Sequence, residues 1–506
     1  RDDEDFRIQS ELGASSDRNF RQQYFKRQFD MGLDQETLNY AVHQNQNTAW
    51  SILASGNLLP WNTVTSMLPQ VDYYRFGDSL FDNEDSSIYD WLKASVNYSQ
   101  HSGADYSITQ TANEVNNKNL FAYIPYDPVS NTSGTLSTAR FYTTHELDAP
   151  IKFTYFRLVP YVQGQLVGWN DQIGGNAVGR YWGAVGGKID AMAWKAYPDA
   201  ENELFNMHGL NHKINVLADY RNSASNVGLN QIGVTDQIDD NSYEFTRRYF
   251  AMTNYLNGVL PAQYDPRFLM LRRALSPISG PTDIQASMQT LHLGIHQRLQ
   301  TKRGPEGRRR VVDYMTLDLD STYFPNAGVD NFGKSFGQNM YNWEWYIGDR
   351  TSLISYGWFE FWKLGGQPIY NVNTNRNNNP LGLNVITSGI SIARPPRANV
   401  FIGYTVINTG PINTSALNTS LSYWLSPKWY GTFSNSYDFG NGILLGSLFS
   451  FTRIGSDYLT TVGVAANPLQ NSYTFGFTVM PRISPNVRNG SSIGGSSLDT
   501  RYAPVQ

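Results

Sequence analysis

The chain contains no cysteine, which excludes disulfides, thiolate metal centres and cysteine nucleophiles together. Charge is scarce as well. Asp, Glu, Lys and Arg make up only 16% of the 506 residues, and a net charge of -4 supplies no bulk field to recruit nucleic acid. No stretch approaches the roughly 18 consecutive apolar residues that a membrane-spanning helix requires, so a helical membrane protein is excluded. There is no glycine-rich loop opening a helix, no Walker loop and no Gly-x-Ser-x-Gly elbow, so nucleotide binding and serine hydrolysis have no support. Nothing here reads as an enzyme, and no cofactor is called for.

What the chain does have is aromatic residues, 14% of the total with 32 Tyr and 12 Trp, beside abundant Asn, Ser, Thr and Gly. That mixture suits sheets with one apolar and one polar face. In NSYTFGFTVM, residues Tyr473, Phe475, Phe477 and Val479 alternate with Thr474, Gly476, Thr478 and Met480, a period of two with rings on one side. The same alternation recurs at 315–324, 398–406, 416–424, 444–453 and 457–466. Each run has about the 9–11 residues with which a tilted strand crosses a bilayer. The pattern predicts an all-β protein, a large antiparallel transmembrane β-barrel of roughly 20 strands. Average hydropathy stays low in such a barrel because apolar residues occupy alternate positions.

The connections carry a second signal. LSPK (425–428), IGSD (454–457), ARPP (393–396) and IGDRT (347–351) read as tight turns, and longer Asn/Gly-rich links fall between them. Outer-membrane barrels keep short turns on the periplasmic side, so the parity places a long excursion, about 221–286, outside the cell. A connection of that length is rarely idle. The barrel is expected over 1–483, with 484–506 as a flexible tail. The opening RDDEDFRIQS reads as the continuation of something longer, and its acidic residues as a solvated turn.

Several smaller motifs have more than one reading. His292 and His296 would be a zinc pair on a helix, but on a strand that spacing leaves them about 13 Å apart, so no metal site is expected. Asp318 and Asp320 read as inward-facing acids balancing nearby Arg rather than as catalytic carboxylates. The rings Trp343, Trp345, Tyr346, Trp358, Phe359, Phe361 and Trp362 could stack on sugars, but they read first as an interfacial girdle. QTKRGPEGRRR (300–310) packs Lys302, Arg303, Arg308, Arg309 and Arg310 around a turn on the periplasmic side. There they would meet inner-leaflet lipid phosphates, or form a phosphate-contacting rim through Arg308 and Arg310. Nucleic acid is excluded as a partner.

Certain stretches also resemble a known family. Ser16, Asp17 and Phe20, followed by Pro69, Val71, Tyr73 and Tyr74, match the SD-x-x-(F/Y) and P-x-(L/V)-x-Y-Y elements of LptD, the lipopolysaccharide-assembly protein also called organic solvent tolerance protein. GLNHKINVLADYR (209–221) and MQTLHLGIHQRL (288–299) resemble the family's strands on either side of a long external loop. The family's expected proline is Val216 here, and its cysteines are absent. The resemblance implies an outer-membrane barrel of about 24–26 strands, of which the upstream strands and a periplasmic domain would precede Arg1. It also implies a translocon that inserts lipopolysaccharide or another glycolipid through a seam between first and last strands. Tyr473, Phe475, Gly476, Phe477 and Val479 would form one lip of that seam. Partners implied are outer-membrane lipids, a lipoprotein plug of the LptE type and a periplasmic bridge protein. The alternatives are a general porin or solute channel, and a surface adhesin or glycan-binding all-β protein.

Overall fold

The computed structural model describes residues 4–481 apart from 21–35, 81–94, 111–134, 237–269, 272–279, most of 361–383 and a few shorter gaps at 18–19, 63, 173–174, 234, 396, 409–412 and 469–470. The expected tail, 484–506, lies outside the described residues, as do Phe361 and Trp362.

Alternating polar and apolar residues build one antiparallel sheet of 21 strands. One of these, Ile151–Lys152, is only a two-residue fringe. The rest form a meander in which each strand pairs with its neighbours in sequence, from Glu4–Glu11 to Ser472–Pro481. Sequential pairing through short links is the favoured antiparallel topology, because two-residue turns suffice to reverse the chain. Of the acidic residues read from sequence as a solvated turn, Glu4 and Asp5 belong instead to a strand, Glu4–Glu11, which pairs in full register with Leu38–Asn45, while Asp2 and Asp3 lie outside the described residues.

The two rims differ. One carries the turns at Gln46–Asn47, 203–206, 304–309, 348–350, 427–428 and 455–457. The other carries the longer links, including 226–287 and 324–338. At the short-turn rim, Gly304 and Gly307 adopt φ of 123° and 78°, a region open to glycine at little cost. Strand length changes along the chain. Val178–Asn202 runs for 25 residues and Met207–Ser225 for 19, whereas the strands after Asn384 run for 10–14.

The sheet has a consistent polarity. Phe141, Val162, Leu166, Val185, Phe433, Phe449 and Phe475 project from one face and are exposed. From the other face project Thr138, Arg140, Gln163, Gln165, Arg180, Thr432, Ser450 and Thr452, all buried. An apolar exposed face opposite a polar covered one inverts the usual soluble pattern and fits lipid outside and water inside. The fold is an outer-membrane β-barrel fold, and the polar face is its inner wall.

Candidate functional site

The densest polar chemistry lies on the inner wall, where the two arms of the 226–287 connection fold back onto the strands. Asp105 on Asn97–Gln110 stands directly opposite Arg140 on Thr135–Asp148, so their side chains share the inner face. Arg140 donates to Asp105 at 2.8 Å, to Asp236 at 2.5 Å and to Asp283 at 2.8 Å. Asp236 and Asp283 belong to the two arms of the connection. One guanidinium, 3% exposed, thus ties the wall to both arms. Its fork of donors is what allows three carboxylates to be met at once.

A second arginine secures the later arm through its backbone. Arg180, 1% exposed, donates to the carbonyls of Asp283 at 2.7 Å and of Thr282, and to Gln165 Oε1 at 2.7 Å. Asp283 then closes the gap between the arms by accepting from the Thr235 backbone N–H and hydroxyl at 2.7 and 2.8 Å. Trp182 Nε1 and the Ser223 hydroxyl both donate to the Ala286 carbonyl, at 3.1 and 2.9 Å. Burial opposes ionisation of Asp283, but Arg140 and Arg180 outweigh it and hold its carboxyl below the ordinary range. At Asp236 burial prevails over Arg140 and pushes the carboxyl up.

Apolar packing backs the ion cluster. Val227, Leu229, Ile232, Leu271 and Ile284 pack against Tyr142, Val167, Trp169, Met288 and Phe324. Each fully buried Leu or Ile contributes about 1.5–3 kcal/mol relative to exposure. The wall beneath is itself locked. Tyr142 lies over Gly103, whose added Cβ would fall 2.6 Å from the ring; its hydroxyl donates to Asp72, which also pairs with His101 at 2.9 Å. Tyr161 repeats the device over Gly186 and donates to Asp219 at 2.8 Å.

The residues singled out from sequence fall elsewhere. Arg303 separates from the rest of its basic cluster. It is buried and donates to the carbonyls of Phe205, Asn206, Tyr346 and Gly348, joining three neighbouring turns of the short-turn rim. Lys302, Arg308, Arg309 and Arg310 remain exposed on that rim. Tyr473, Phe475, Phe477 and Val479 project exposed from the last strand, and Gly476 faces Gly463 across the ladder. Asp318 pairs with Arg298 at 3.4 Å, as balancing charge. Trp343 and Trp345 share the face of Leu317 and Met315, the lipid-facing one. Sequence reading missed the Arg140 cluster, because its members are spread over 178 positions and no short spacing joins them.

Comparison with known proteins gives no family: no family model matches the chain, and no curated protein matches it. Among solved structures it is similar to the copper transporter OprC, at 10% identity and a TM-score of 0.31 over 96% of this chain and 73% of that one. It is also similar to the siderophore receptor PirA from Acinetobacter baumannii, at 9% and 0.33 over 95% and 74%. A mutant Rh. blastica porin gives 8% and 0.24 over 76% and 98%. The resemblance to LptD and the lipopolysaccharide-translocon function drawn from it are not upheld: no family model and no curated protein matches the chain, and the solved structures it is similar to are named as transporters, receptors and porins. The geometry agrees with the correction. Ser16 and Asp17 lie in a bend five and six positions beyond the end of the strand Glu4–Glu11, so the supposed strand-end motif ends no strand. The other motifs are amphipathic strand sequence of a kind any barrel can carry. The exposed apolar face opposite a polar inner one, on an antiparallel sheet of this size, fits a location in the outer membrane.

Proposed function

We propose that the protein is an outer-membrane solute channel whose passage is set by the 226–287 connection. The supporting observation is the Arg140 cluster, which fixes both arms of that connection on the inner wall. A buried ion cluster is not needed for stability, because apolar residues of similar volume often serve as well. What it does supply is a defined placement of the arms on a polar wall, where apolar packing alone would be non-directional. Arms so held stand on the lumen side of the wall, where they bear on what passes. In this reading the short-turn rim faces the periplasm, Lys302 and Arg308–Arg310 lie at inner-leaflet headgroups, and the chain moves solute without catalysing a reaction. A glycan-binding adhesin would gain nothing from a polar inner wall.

Planar lipid bilayers test the reading. The purified chain should give discrete conductance steps. A bilayer that stays silent at high protein load, with the barrel shown to be inserted, would reject it.

A further inference from the structure

Between the arms of the 226–287 connection and the short-turn rim, the inner wall collects carboxylates. On Thr135–Asp148 the face that carries Arg140 continues through Glu146 and Asp148, six and eight positions nearer that rim. On Arg310–Tyr323 the inner face carries Asp320 and Asp318. They stand opposite Gly294 and His296, six and eight positions past Met288, where the connection ends. Glu344 of the next strand, Asn339–Ile347, lies directly across from the buried, inner-facing Thr316.

The partners of these acids leave most of their charge in place. Gln163 donates to Glu146 at 2.5 Å, Asn97 to Asp148 at 3.0 Å, and the Tyr346 hydroxyl to Glu344. A neutral donor satisfies a carboxylate without cancelling its charge. Asp318 shares one guanidinium, that of Arg298, with Asp313, at 3.4 and 3.9 Å. Asp320 Oδ1 meets two imidazoles, with His292 Nε2 at 3.6 Å and His296 Nε2 at 3.3 Å. The inner-face bases at this level are Arg157, Lys188, Lys213 and Arg298, and Arg157 is taken up by Asp190 at 3.4 Å.

The rest of the wall does not compensate. From Asn384 to Pro481 the described bases are Arg394, Arg397, Lys428 and Arg453, all in or beside turns of the short-turn rim. The inner charge of those strands is again acidic, Asp438. Basic residues are thus gathered at the rim and acidic ones are in surplus along the passage. A passage lined by one sign of charge concentrates counter-ions and excludes co-ions. Screening confines that field to about 8–10 Å at physiological salt, so the preference weakens as salt rises.

We propose that this acidic band makes the passage selective for small cations over anions. The inference rests on the channel reading and names what such a channel passes. Selectivity of this kind belongs to the field of the wall and needs no fixed ligand set; among the described residues no three His, Cys, Asp or Glu are placed to hold a metal ion.

The test is the reversal potential of the purified full chain in planar bilayers under a KCl gradient, at about pH 8, where imidazoles are ordinarily uncharged. K⁺ should permeate roughly threefold or more over Cl⁻ at about 0.1 M salt, and the ratio should fall toward one at about 1 M. In the combined variant Glu146→Gln, Asp318→Asn, Asp320→Asn and Glu344→Gln the ratio should drop close to one while conductance steps persist. Heat-modifiable gel migration verifies that the variant is folded. Steps in the wild type without preference for K⁺, or with preference for Cl⁻, would overturn this inference and leave the channel reading standing. A ratio unchanged in the folded variant would overturn the band as its source. A bilayer without steps rejects the channel reading, and this inference with it.

Discussion

The strands from Asn384 to Pro481 and those from Val64 to Ser225 belong to one sheet but line its inner face differently. The later strands place small hydroxyls there. Thr432 pairs with Ser450 at 2.6 Å, Thr452 with Thr461 at 2.9 Å and Thr387 with Thr405 at 3.1 Å. The earlier strands place Arg140, Arg180, Asp72, Asp105 and Tyr142 there, all buried. Most of the later wall therefore stands without buried charge, the exception among its described residues being Asp438 at the end of Trp429–Asp438. The charged region is the one onto which a connection folds, so its chemistry serves that connection more than the sheet.

If that division is right, the two regions should respond unequally to loss of a polar contact. The largest effect is expected from Arg140→Met, which leaves Asp105, Asp236 and Asp283 without the one guanidinium that all three share. Removing one partner of a buried ion cluster costs about 3–5 kcal/mol. Limited proteolysis should show cleavage between 226 and 287 at much lower protease concentration, with the strands after Asn384 still protected. Uniform loss of protection along the chain would break the comparison.

Acidity should act on the same arms in two opposed steps. Asp236 has a raised carboxyl, so its contribution is present at low pH and lost as pH rises through the folded value. Asp283 has a depressed carboxyl, so its contribution is present above the unfolded value of about 3.9 and lost as pH falls through the folded one. Protection of the arms should therefore rise slightly from neutral to mildly acidic pH, then collapse only below the ordinary carboxylate range. In Asp236→Asn the rise should vanish while the collapse remains.

The smallest effect belongs to the hydroxyl-lined region. Thr432→Val removes one side-chain hydrogen bond to Ser450, a contact worth about 0.5–1.5 kcal/mol. Denaturant unfolding should move by no more than that, and cleavage of the connection should not change. A larger shift would mean that the hydroxyl ladder carries structure assigned here to the sheet backbone.

How far the sequence could be read follows from the range over which each signal acts. Alternation is local, so the runs 398–406, 416–424, 444–453 and 457–466 lie within a few residues of strands Ala398–Asn408, Asn413–Ser426, Ile443–Ile454 and Tyr458–Asn467. Strand count and turn parity came from the same signal. The longest strand, Val178–Asn202, was missed, because its second half carries Lys, Asp and Glu in no clear alternation. Side-chain reach was also hidden. Spacing speaks for Cα positions, so it separated His292 from His296 although both imidazoles reach Asp320, and it grouped Arg303 with neighbours from which burial divides it. Contacts such as Arg140 to Asp283, 143 positions apart, arise only when a connection returns to the wall.

Arg140 holds both arms of the connection on the inner wall, and single-channel recording in planar bilayers tests most directly whether that hold sets what passes. Wild type and Arg140→Met would be compared at equal insertion. The predicted result is larger, less steady conductance in the variant, as the arms leave the wall. Equal conductance in the two proteins, with the arms of the variant shown by proteolysis to be released, would contradict it.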